Sequence, residues 1–133
     1  MIWLSDEGDS DYDIIARALG HLAKRLESLK TDELVKIGNG VMIKDLDAHA
    51  DRCNQLRQKF IDKTAENLIR YNLGLICNAL AVYHKDLESS KKALSNNLFG
   101  GQQDIANFEL KHLDKEMRDV AYLLDYYKKK GSS

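Results

Sequence analysis

Asn67 to Leu87, NLIRYNLGLICNALAVYHKDL, is the stretch whose reading decides the fold. From Leu73 to Tyr83 it is apolar except for Gly74 and Asn78. A helix that is apolar on nearly every side has to be surrounded by other helices. The expectation is therefore an all-α protein, a four-helix-bundle-like single domain with this segment as its central helix. That helix is expected over about 65–95, with a stripe of Ala65, Ile69, Leu73, Ile76, Leu80, Tyr83 and Leu87. It is the third of the four long helices.

The rest of the chain supplies the partners. Ile15, Leu19, Leu22, Leu26 and Leu29, spaced four, three, four, three, predict a first helix over about 11–30. Leu46, Ala50, Cys53, Leu56 and Phe60 predict a second over about 41–62. Ala106, Leu110, Leu113, Met117, Val120, Leu124 and Tyr127 predict a fourth over about 102–129. A short turn of helix is expected at about 32–37, stopped by Gly38-Asn39-Gly40, where positive φ is tolerated. A hairpin about Asn39-Gly40 is the competing expectation there. A single helix from Lys44 to Leu94 would be about 75 Å long, too long for a compact domain. A break near Asp62-Lys63-Thr64 follows, although no glycine or proline marks it.

The totals agree with one helical domain. The chain has 133 residues and no proline, and its net charge of −1 does not favour a nucleic-acid-binding domain. The longest apolar run is about half a membrane-spanning length, so no membrane association is expected. Met1-Ile2-Trp3-Leu4 leads straight into acids, unlike a secretory signal, and a cytoplasmic location is expected. Cys53 and Cys77 fall on apolar helix positions and read as free thiols. Residues 1–10 form an acidic arm, 11–130 the bundle domain and 131–133 a frayed tail.

The arm and its junction with the first helix hold Asp6, Glu7, Asp9, Asp11 and Asp13 without a base. Ser10 with Asp13 three residues on resembles a capping box. The functional reading of the same cluster is an acidic surface for a basic partner. Trp3 beside it, and Leu98-Phe99 before Gly100-Gly101, are the other candidate contact residues. The four-three seams of the first and fourth helices also permit self-association.

Catalytic sets are sparse. The histidines His21, His49, His84 and His112 fall one per helix, and Glu109 to His112 has a Glu-x-x-His spacing. Di-metal bundles need a second such pair and two more inward glutamates, which are absent, so no metal or other cofactor is expected. His21-Leu22-Ala23-Lys24 resembles the motif of histidine phosphotransfer domains, which are helical bundles of about this size. That resemblance implies His21 as nucleophile and Lys24 as the cation neutralising phosphoryl oxygens. It covers four residues, and Arg25 and Leu26 stand where the family has glycine and small residues. The leading expectation is a non-enzymatic protein that binds another macromolecule, as an inhibitor or immunity protein, small subunit or adaptor. Phosphotransfer at His21 is one alternative. Nucleic-acid binding by the basic faces of the first two helices, within a ribonucleoprotein, is the other.

Overall fold

The computed structural model describes residues 10–30, 40–64, 67–96 and 103–132. It is all-α. The helices are α1 (Asp11–Lys30), α2 (Gly40–Ile61), α3 (Leu68–Tyr71), α4 (Leu73–Asn96) and α5 (Gln103–Ser132). The turn expected at 32–37 lies outside the described residues. Val41 to Ile43 are helical, so a hairpin about Asn39-Gly40 does not form.

The start of α1 carries the capping box read from the sequence. The Ser10 N–H donates to Asp13 Oδ2 at 2.9 Å, and the Asp13 N–H donates back to Ser10 Oγ at 3.4 Å. Two N–H groups that the helix leaves unpaired are satisfied in this way.

The break after α2 is real and has a definite cause. The Lys63 N–H donates to the Phe60 carbonyl at 3.2 Å, and the Thr64 N–H to the Lys59 carbonyl at 2.9 Å. That pair of bonds is a Schellman motif, in which the residue after the cap turns left-handed. Lys63 takes that place with φ 60°, where glycine is usual.

The third long helix is not continuous as expected. It is interrupted at Asn72, which separates the single turn of α3 from α4. Asn72 Nδ2 donates to the Leu68 carbonyl at 2.9 Å, and Asn72 Oδ1 accepts from Arg52 of α2 at 3.1 Å. An asparagine side chain that bonds its own backbone offers the chain an alternative to helix.

The helices run up, down, up, down. Asp13 pairs with Lys63, so α2 returns antiparallel to α1. Tyr127 meets Asp11 and Glu116 meets Arg17, so α5 is antiparallel to α1. Tyr83 and Lys91 meet Glu116 and Asp114, so α4 is antiparallel to α5 and parallel to α1.

The central helix is α1, not the one centred on 73–83. Helix α1 packs against α2, α4 and α5, whereas the backbone of α2 comes close to that of α1 alone among the described helices. Tyr12, Ile14, Ile15, Ala16, Ala18, Leu19, Leu22 and Ala23 are all buried, almost around the whole helix. Three alanines among them let neighbouring helices approach closely. In α4 only Ile76, Ala79 and Leu80 are buried, and Leu73, Leu75, Val82 and Leu87 are half-covered. The α2 stripe from Ala50 to Phe60 is buried as expected, whereas the α5 seam is rotated to bury Leu123 and leaves Leu124 half-covered.

Candidate functional site

Helices α2 and α4 both rest on α1, and a groove opens over the exposed strip of α1. It has a volume of about 870 Å³, with Arg17, Gly20, His21 and Lys24 on its floor. Asn54 and Arg57 of α2 form one wall and Tyr83 of α4 the other. The sequence places Arg17, Gly20 or His21, and Lys24 on one side of α1 because they are three or four residues apart.

Most charges in this groove are paired. Glu116 of α5 accepts from Arg17 Nη2 at 2.8 Å and from the Tyr83 hydroxyl at 2.7 Å. Asp86 of α4 accepts from Arg25 Nη1 at 2.6 Å and lies 2.5 Å from His21 Nε2. The Arg25 guanidinium, then His21, hold the Asp86 carboxyl below its ordinary range. An ionised Asp86 only accepts, so the facing His21 Nε2 carries a proton. Burial, and then the bond to Glu116, push the Tyr83 phenol well above its ordinary value. It stays a neutral donor whose ring packs 5.3 Å from that of His21.

The structure sorts the candidate residues. His21 and Lys24 do share the groove, but Nε2 of His21 is engaged by Asp86. Asp11 is only 2 % exposed, and its Oδ2 accepts from the Tyr127 hydroxyl at 2.8 Å. Burial turns this acid inward, away from any partner. Asp13 is half-exposed and holds the cap of α1. Trp3, Asp6, Glu7, Asp9, Leu98 and Phe99 lie outside the described residues. The seam of α1 offered for self-association is largely consumed in the core.

Among the described residues, no group of three His, Cys, Asp or Glu is arranged to hold a metal ion. Cys53 is buried and Cys77 half-buried, and burial raises both thiols above their ordinary value. Among the described helices, none is long and apolar enough to cross a membrane.

A second surface was not singled out by the sequence reading. One flank of α5 carries Phe108, 64 % exposed, and Tyr122, 54 % exposed. The Phe108 ring meets His112 edge-on at 4.5 Å, and Tyr122 stacks on Tyr126 at 6.4 Å with an interplanar angle of 18°. Lys130 Nζ lies 4.9 Å from the centre of the Tyr126 ring. At 100° per residue these four rings fall within about 80° of arc, along roughly 27 Å of helix. The signal was present as the spacing of four, ten and four residues between the rings. It was hidden because the rings lie beside the apolar seam of Ala106, Leu110, Leu113, Met117, Val120, Leu124 and Tyr127 and do not continue it.

Compared with protein-family models, curated proteins and solved structures, the chain matches none.

Proposed function

We propose that this protein is a non-enzymatic, cytoplasmic helical module that binds another protein through the aromatic flank of α5. The observation that carries the reading is the line of Phe108, His112, Tyr122 and Tyr126, with its two largest outward rings more than half exposed. Aromatic side chains supply large contact area at small entropic cost and are enriched where proteins meet. An inhibitor, small subunit or adaptor would use such a face. The acidic arm, with Asp6, Glu7 and Asp9, and the Leu98-Phe99 corner are candidate secondary contacts.

Nucleic acid is a weaker fit. A polyanion needs a run of free cations, whereas two of the cations on α1, Arg17 and Arg25, are each paired with an acid. Phosphotransfer at His21 is a weaker fit as well, because Asp86 holds Nε2.

A photo-crosslinking amino acid in place of Arg118, beside the flank, tests the proposal in the native host. One partner captured in stoichiometric yield, and lost when Phe108 and Tyr122 are both changed to aspartate, is the expected result. A stoichiometric partner that survives the double change would overturn it.

A further inference from the structure

The groove over α1 holds two cations that the pairing just described leaves over. Among the described residues, the side chains of Lys24 and Arg57 have no ion-pair or hydrogen-bond partner. The acids that reach the other side chains of the groove are occupied. Asp86 is shared by Arg25 and His21, and Glu116 by Arg17 and Tyr83. Glu27 at the groove's end is engaged as well.

Gly20 explains the posture of Arg57. A Cβ at position 20 would lie 2.9 Å from Arg57 Nε and 3.1 Å from Arg57 Cδ. The arginine therefore lies flat across a helix backbone that only glycine leaves bare. Glycine inside a helix is less favourable than alanine, so α1 carries an unfavourable residue at the one position where Arg57 crosses it. Lys24 sits one turn further along the same side, about 6 Å up the axis.

We propose that this corner is a binding site for a phosphate monoester dianion, clamped between the guanidinium edge of Arg57 and the ammonium of Lys24. A guanidinium presents a planar pair of donors to two oxygens, and an ammonium adds a point charge. Two unpaired cations match a charge near −2, whereas a carboxylate would be satisfied by one of them. His21 borders the same groove. The site is separate from the α5 flank, so the fate of the protein-binding reading leaves it standing.

The test is a titration of the ¹⁵N-labelled protein at pH 8 and fixed ionic strength, with inorganic phosphate, O-phosphoserine and acetate as probes. Saturable shifts centred on Gly20, Lys24 and Arg57, with a dissociation constant on the order of 1 mM, are expected for the phosphates. Arg57→Ala and Lys24→Ala should each weaken binding about tenfold. Gly20→Ala should weaken it as well without altering any charge, because the new methyl group displaces Arg57. Tighter binding of phosphoserine than of phosphate would identify a phosphorylated side chain as the source, and the reverse a free phosphate. Acetate shifts equal to those of phosphate, or full binding retained by Arg57→Ala, would overturn the proposal.

Discussion

Changing Tyr127 to phenylalanine removes one oxygen atom from the centre of the protein. Tyr127 and Asp11 are each 2 % exposed, and the phenol hydroxyl donates to Asp11 Oδ2 at 2.8 Å across 116 residues of sequence. The change leaves Asp11 with the Tyr12 N–H at 3.0 Å on its other oxygen, together with its remaining partners. A buried hydrogen bond to a charged group contributes about 1.5–3 kcal/mol. The expected loss is therefore about 2 kcal/mol, which for a chain of this size lowers Tm by roughly 6–8 °C. Urea unfolding should show a lower midpoint with an unchanged slope. A double-mutant cycle with Asp11→Ala should return a coupling of about 1.5 kcal/mol or more. The same pair predicts the alkaline behaviour. Burial, and then the bond to Asp11, raise the Tyr127 phenol above its ordinary value of 10.0, and burial raises Tyr83 likewise. As pH rises past 10, the unfolded chain loses these protons while the folded one keeps them. The unfolded state is then favoured, by up to about 1.4 kcal/mol per pH unit for each tyrosine. Stability should fall above pH 10, and Tyr127→Phe should fall about half as steeply. A loss below about 0.5 kcal/mol at pH 7, or an alkaline limb unaltered by the change, would refute the reasoning.

Two backbone predictions are simpler. Lys63→Gly relieves a left-handed residue that costs about 1–2 kcal/mol. It adds back about 0.5–1 kcal/mol of chain entropy and loses a partly exposed pair with Asp13. A net gain of roughly 0.5 kcal/mol is expected in urea unfolding, and a loss above 1 kcal/mol would mean that the motif at 59–64 is wrongly drawn. Gly74→Ala, in the first turn of α4 with open space around the added methyl, should stabilise by about 0.5 kcal/mol. Destabilisation there would show that α4 begins elsewhere.

What could be read from the sequence was what is local. The capping box at Ser10 and Asp13 lies within four residues, and the apolar stripe of α2 within eleven. The break at Asp62 to Thr64 was legible only indirectly, because lysine in a left-handed turn leaves no composition signal and chain length had to reveal it. The interruption at Asn72 was missed, since an asparagine inside an apolar run reads as one exposed position. Its Oδ1 is held by Arg52, a partner twenty residues away that no spacing rule finds. The groove was half visible. His21 and Lys24 were picked out by spacing, but Asp86 and Arg57, which decide what each of them can do, come from other helices.

The misplaced centre of the bundle follows from judging burial by how apolar a helix is. By that measure the stretch from Leu73 to Tyr83 wins. Helix α1 is instead central because it combines large apolar residues with alanines at 16, 18 and 23. Those alanines add little hydrophobicity, yet they allow other helices to close in on more than one side. An outer strip from Arg17 to Lys24 is left open, and it is there that Gly20 admits Arg57. Helix α4, richer in large apolar groups, packs against α1 and α5 and keeps several of them half-covered. The acidic cluster divides along the same line. Asp11 and Asp13 serve the start of α1, one bonded to Tyr127 and the other closing the cap. Any role of the arm in recognition therefore falls to Asp6, Glu7 and Asp9. Reversing those three charges is the change that separates recognition from folding, because neither acid that holds α1 is touched.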